Sequence, residues 1–182
     1  MTTYCQYVFQ HPEDVLNKNY HDHEYGFPIE DDNALFERLV LEINQAGLSW
    51  ITILKKAGNF HSAYDGFEIE KVAGYGQREQ ARLLSDPGII RNRLKVEAAI
   101  HNAHSILAMQ EAYGSFKGWL DAHHPRSREA WVALFRDHFK FVGGEIVKEF
   151  LISTGYLPGA HDLDCPVYAQ VAALDPPWAK GG

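Results

Sequence analysis

The segment Glu42-Ile43-Asn44-Gln45-Ala46-Gly47-Leu48-Ser49-Trp50 places a carboxylate and an indole on either side of a glycine break. Leu35, Phe36, Leu39, Val40 and Ile43 recur at three- and four-residue intervals, which predicts an amphipathic helix over 33–45. Asp31 or Asp32 can cap its start and Gly47 can end it. Ser49 can cap a following helix whose buried side carries Ile51 and Leu54. Glu42 then falls in the last turn of the first helix, beside Ile43 on the core side. The negative end of a helix dipole opposes a carboxylate there, so the charge needs a compensating partner. One reading is a solvated glutamate or a pair with Lys55 or Lys56. The other is an anion kept for a ligand.

A second group lies at the two ends of the chain. His161 and Cys165 are four residues apart in GAHDLDC, a spacing that puts both on one face of a helical turn. Cys5 is the other thiol, and Tyr20-His21-Asp22-His23 follows it. Two thiolates and two imidazoles make a closed tetrahedral zinc site, of the structural rather than the catalytic type. Such a site ties down termini that otherwise fray. The plainer alternative is a pair of free cysteines with surface histidines.

A third group is His138-Phe139-Lys140-Phe141-Val142-Gly143-Gly144, set between two helical patterns. A tight turn ending in glycines presents backbone N–H groups at a helix start, where an anion such as a DNA phosphate binds. Lys140 adds a point charge. An ordinary helix–helix connection has the same glycines.

The elements that must position these groups are helical almost throughout. A long helix is predicted over 90–112, with Val96, Ile100, Ala103 and Leu107 on one stripe. Others follow over 129–137, with Trp131, Leu134 and Phe135 inward, and over 144–153, with Ile146, Val147, Phe150 and Leu151. No sustained alternation supports a sheet, so the chain reads as an all-α domain. Breaks fall at Gly26-Phe27-Pro28, Asp86-Pro87-Gly88, His124-Pro125, 155–159 and the tail DPPWAKGG.

Its 182 residues and 46% apolar content suit one domain, or two closely packed lobes. No apolar run approaches a membrane span, and the N-terminus lacks a signal-peptide pattern, so a cytosolic protein is expected. In that reducing compartment Cys5 and Cys165 read as free thiols or metal ligands rather than a disulfide. A formal charge of −7 argues against a protein that coats nucleic acid, though not against a small basic footprint. Candidate footprints are Arg91, Arg93 and Lys95, the pair Lys55 and Lys56, Arg126 with Arg128, and Lys140 with Lys148. Each has a solvated helix face as its alternative.

Taken in order, YHDHEYGFP at 20–28, LFERLVLEINQAGLSWITILKK at 35–56, GIIRNRLKVEAAIHNA at 88–103, FKFVGGEIVKEFLISTGY at 139–156 and HDLDC at 161–165 resemble the 3-methyladenine DNA glycosylase I family over almost the full length. The resemblance implies a helix-hairpin-helix DNA glycosylase fold with a zinc site joining the N- and C-terminal segments. It implies a single domain over 1–182, with the helix-hairpin-helix at about 129–154. Its zinc ligands match Cys5, His21, His161 and Cys165. Its acidic pocket residue matches Glu42, its stacking indole Trp50 and its pocket tyrosine Tyr20, while Lys140 and Gly143 fall in the DNA-binding hairpin. This chain departs from the family at Tyr7 and Tyr25, where tryptophan is usual, at Asn17-Lys18-Asn19, and at His138; the stretch from 114 to 130 is also shorter. Tyr7 is carried over as a substrate-binding aromatic.

The implied activity is monofunctional excision of 3-methyladenine from double-stranded DNA by a monomer. A flipped alkylated base is cationic and already a good leaving group, so an indole face, a carboxylate and an ordered water suffice. A lyase needs an amine nucleophile just after the hairpin, where Gly144 and Glu145 stand, and Lys148 comes one turn late. Two rival expectations are a catalytically silent damage binder and a zinc hydrolase with an open metal position.

Overall fold

Caps and apolar stripes divide the computed structural model, described for residues 1–181, into eleven α-helices and two 3₁₀ turns among the described residues. These are α1 (Tyr4–Gln10), α2 (Val15–His23), α3 (Asp32–Gln45), α4 (Trp50–Ala63), α5 (Ile69–Ala73), α6 (Gln77–Leu84), α7 (Arg93–Tyr113), α8 (Phe116–His123), α9 (Arg128–His138), α10 (Gly144–Ser153) and α11 (Pro166–Ala173). The 3₁₀ turns are Asp65–Phe67 and Pro177–Ala179. No strand occurs among the described residues, as the missing alternation implies. Helix α3 lies centrally and packs on α4, α7, α8 and α10, while α7 also packs on α5 and α8, and α9 on α10.

The four longer predicted helices form close to their expected limits. Asp31 caps α3, accepting from the Ala34 N–H at 2.8 Å. Asp32 instead serves a distant helix. Its carboxylate accepts from the Phe116 and Lys117 N–H groups at 2.8 and 3.0 Å, so it caps α8, 84 and 85 residues away. On α4 the buried residues are Ile53, Phe60 and Ala63, whereas Ile51 and Leu54 are only half-buried. Leu54 instead lines a cavity together with Trp50, Ala57, Gly58 and His61 of the same helix. Lys95 departs from the basic-cluster reading altogether. It is buried, and its ammonium donates to the Asn44 and Ala46 carbonyls at 2.8 and 2.9 Å. Those carbonyls belong to the open C-terminal end of α3, where a cation offsets the helix dipole.

One apolar cluster fills the body, with Leu35, Phe36, Leu39, Phe60, Phe67, Ile106, Phe116, Trp131, Phe135 and Phe150 fully enclosed. A smaller cluster gathers Cys5, Cys165, Val167 and Val171 with Phe27 and Tyr168, joining α1 to α11. No helix among the described residues is long and apolar enough to cross a membrane.

Candidate functional site

Two polar clusters lie inside this apolar frame, side by side along the chain. The first is Cys5, His21, His161 and Cys165, all buried, whose ligand atoms lie within 4.8 Å of one another. His21 Nε2 is 3.3 Å from Cys5 Sγ and 3.2 Å from His161 Nδ1, and Cys165 Sγ is 3.8 Å from His21 Nε2. The outward nitrogens are engaged elsewhere. His21 Nδ1 faces Asp22 Oδ1 at 2.8 Å, and His161 Nε2 faces the Tyr25 carbonyl at 2.6 Å. Carrying its proton on the outer nitrogen, each ring turns a lone pair inward, the orientation a metal ligand needs. The Asp162 N–H donates to Cys5 Sγ at 3.3 Å, which favours the thiolate. In this enclosed place burial pushes the Cys5 thiol up to about 12, and a bound cation reverses that cost. The donor set and its hydrogen bonds fit a metal ion. His23, two residues from His21, is exposed, and both cysteines are free thiols. His161 and Cys165 converge through a turn closed by the Cys165 N–H to Asp162 carbonyl bond at 2.9 Å, rather than through a helix.

The second cluster surrounds a cavity of about 310 Å³ lined by Tyr4, Tyr20, Tyr25, Glu42, Gln45, Trp50 and Glu149. Tyr20 and Trp50 sit 5.1 Å apart between ring centroids, Tyr20 and Tyr25 5.6 Å, and Tyr4 and Tyr25 5.4 Å. Glu42 is 4% exposed and has no ion pair among the described residues. Lys55 is exposed and Lys56 donates to the Pro87 carbonyl, so neither lysine compensates it. Desolvation pushes the Glu42 carboxyl up to about 8, opposed by Arg38 and reinforced by Glu149. The Trp50 indole N–H is also buried without a partner. A carboxyl group with no ion pair and an unpartnered indole N–H, beside an aromatic-walled cavity, mark a place for a flat ligand with polar edges.

A larger cavity, about 480 Å³, shares Tyr20 and Trp50 as walls and carries Glu24, Glu37, Arg38 and His61. Its charges already answer one another: Arg38 lies 3.5 Å from Glu24, and His61 3.3 Å from Glu37. The smaller cavity is therefore the stronger candidate despite its size.

The structure brings Glu42, Trp50 and Tyr20 together, and Cys5, His21, His161 and Cys165 together. It does not bring Tyr7 to either cluster. Tyr7 is exposed and donates to Asp14 at 2.8 Å, and Tyr4, one turn earlier in α1, takes the pocket position. Tyr4, Tyr25, Gln45 and Glu149 are pocket residues that sequence reasoning did not assign. Adjacency of Tyr4 to Cys5 was the available signal for the first of them; Glu149 had none.

The pocket and the Cys/His cluster share a scaffold. Tyr4 precedes Cys5, Tyr20 precedes His21, and the Tyr25 carbonyl meets His161. Gly26 makes this approach possible: at φ 84° a Cβ there would stand 2.6 Å from the Ala160 Cβ.

At the third site, Asn102 is fully buried and grips the turn between α9 and α10, accepting from the Lys140 N–H at 2.8 Å and donating to its carbonyl at 3.2 Å. Phe141 takes φ 61°, Val142 is buried, and exposed Gly143 precedes α10 with no side-chain cap on that helix start. Lys140 projects into solvent beside it.

Comparison with known proteins agrees with this geometry. DNA-3-methyladenine glycosylase 1 of Escherichia coli K12 is 37% identical over 90% of this chain and 96% of its own length. The solved 3-methyladenine DNA glycosylase I of Staphylococcus aureus, described for its recognition of 3-methyladenine, superposes with a TM-score of 0.78 at 37% identity, covering 85% of this chain and 92% of that one. A tyrosine-to-phenylalanine variant of 3-methyladenine DNA glycosylase I, solved in complex with 3-methyladenine, gives a TM-score of 0.76 at 36% identity over 85% and 93%. The methyladenine glycosylase family model matches residues 10–130, a span that holds Tyr20, Tyr25, Glu42, Gln45 and Trp50 of the pocket, and this chain belongs to that family.

Proposed function

We propose that this protein is a monofunctional DNA-3-methyladenine glycosylase acting on alkylated bases in double-stranded DNA. The observation that carries the reading is Glu42: a buried carboxylate with no cation of its own, set in an aromatic cavity of a size suited to one base. A flipped 3-methyladenine supplies the missing positive charge. Glu42 attracts it and accepts from its edge, Trp50 stacks on it, and Tyr20 forms a further wall. Because the N-alkylated base leaves readily, binding, orientation and electrostatics do most of the work and water completes the hydrolysis.

The rest of the reading follows from placement. Lys148 lies 3.8 Å from Glu145 and lines no part of the cavity, which supports hydrolysis without lyase chemistry. We read 129–154 as the helix-hairpin-helix of a single domain spanning 1–182, with Lys140 and the amides after Gly143 holding phosphate. Cys5, His21, His161 and Cys165 hold one structural zinc, the ion that a two-sulfur, two-nitrogen set prefers. All four donors converge, so the site supports architecture rather than hydrolysis at a metal. We take the protein to act as a cytoplasmic monomer.

The direct test is incubation with methylated duplex DNA followed by chromatography of the released bases. Release of 3-methyladenine without strand scission is expected. DNA binding without any released base would make the protein a silent damage binder.

A further inference from the structure

Glu149 has no part in the reading above. It lies on α10, beyond the hairpin, and lines the same cavity as Glu42. Its Oε2 accepts from the Tyr25 hydroxyl at 3.3 Å, and no lysine, arginine or histidine among the described residues lies within ion-pair distance of it. The lysine next to it, Lys148, reaches Glu145 instead. Its charge acts on Glu42 and on Tyr25, disfavouring ionisation of both.

Two carboxylates around one cavity repel each other unless a cation lies between them. Arg38 does not fill that role, since it donates to the Ser153 carbonyl at 3.2 Å, pairs with Glu24 and stacks 5.2 Å over Tyr20. A carboxylate near the hairpin also works against approach of DNA phosphates. Yet Glu149 is held in place. Tyr25 grips it by the hydroxyl, and Tyr25 is itself anchored through its carbonyl to His161.

We propose that Glu149 is a second recognition carboxylate of the base pocket: with Glu42 it brackets the cationic purine, and it sets how strongly the pocket prefers a charged base to a neutral one of the same shape. The inference rests on the identification of this cavity as the base pocket.

The test measures binding of two probes by calorimetry at alkaline pH. One is 3,9-dimethyladeninium, whose positive charge is fixed; the other is free 3-methyladenine in its neutral form. Glu149→Gln is expected to weaken the cation roughly tenfold, with neutral-base affinity unchanged. Glu149→Asp is expected to keep much of the preference. Tyr25→Phe, which frees the carboxylate without removing it, is expected to reduce the preference by a smaller factor. Unchanged cation affinity in Glu149→Gln, or equal loss for both probes, overturns the proposal. Glu42→Gln is measured alongside. If it loses the preference and Glu149→Gln does not, the pocket reading stands and this inference alone falls. A wild-type protein that binds both probes equally overturns the pocket reading itself.

Discussion

The Cys/His cluster and the carboxylate pocket are neighbours with opposite internal geometry. Both bury polar groups in an apolar chain, and both are short of positive charge. In the cluster the four donor atoms converge within 4.8 Å, room for a bare ion and nothing else. In the pocket, Glu42 and Glu149 line a cavity of about 310 Å³ walled by rings, room for a flat ring system rather than a bare ion. The first arrangement suits a permanent cation and the second a visiting flat one. The two also share residues, because Tyr4, Tyr20 and Tyr25 are each attached to a member of the cluster. A permanent ion on one side can thus hold the aromatic wall on the other.

The largest expected effect tests that dependence. Cys5→Ser or Cys165→Ser should remove about one equivalent of zinc and lower stability by several kcal/mol, given the size of structural zinc contributions. Metal analysis and thermal denaturation measure both, and base binding should fall with them. Metal-free protein with unchanged stability and base affinity would break the comparison.

Glu42 gives the next effect, and its sign is opposite for stability and function. Its folded value of about 8 lies above the unfolded value of 4.5. Between those values the folded protein holds a proton that the unfolded chain has released. The stabilising contribution is complete below about 4.5 and is lost as pH rises through about 8, on the order of 4–5 kcal/mol in all. Glu42→Gln should flatten this slope in denaturant titrations and be the more stable protein above pH 8, while excision of 3-methyladenine falls. A variant that releases the base as fast as wild type at equal DNA occupancy would make Glu42 structural.

Trp50→Ala should cost about 1–3 kcal/mol of base affinity, the usual size of base–aromatic stacking, with non-specific DNA binding retained. The smallest effect belongs to the hairpin. Lys140→Ala should weaken damaged and undamaged duplexes alike and reduce the salt slope by about one, read from binding isotherms at several salt concentrations. A loss confined to one DNA sequence would contradict a phosphate role.

What the sequence determined by itself was mostly local. Helices α3, α7, α9 and α10 depend on neighbours three or four residues apart and lie where the periodicity puts them. Ile100, Leu107, Leu134 and Ile146 of the expected stripes are only half-buried, however, and the local sequence leaves open whether Asp31 or Asp32 is the cap. The short helices α1, α2, α5, α6, α8 and α11 span 5–9 residues, too few for a periodic signal. Residue types and the His161–Cys165 spacing raised the metal candidates and the Glu42–Trp50 pair; resemblance then added the choice of His21 and the pocket role of Tyr20, which no spacing rule connects to them. Tertiary structure alone decided the charges. Asp32 caps a helix 84 residues away, Lys95 closes the end of α3 from α7, and Glu149 meets Tyr25 across 124 residues. A solvated aspartate, lysine or glutamate has the same local sequence as one of these. Only the packing of distant helices removes the water and fixes which partner replaces it.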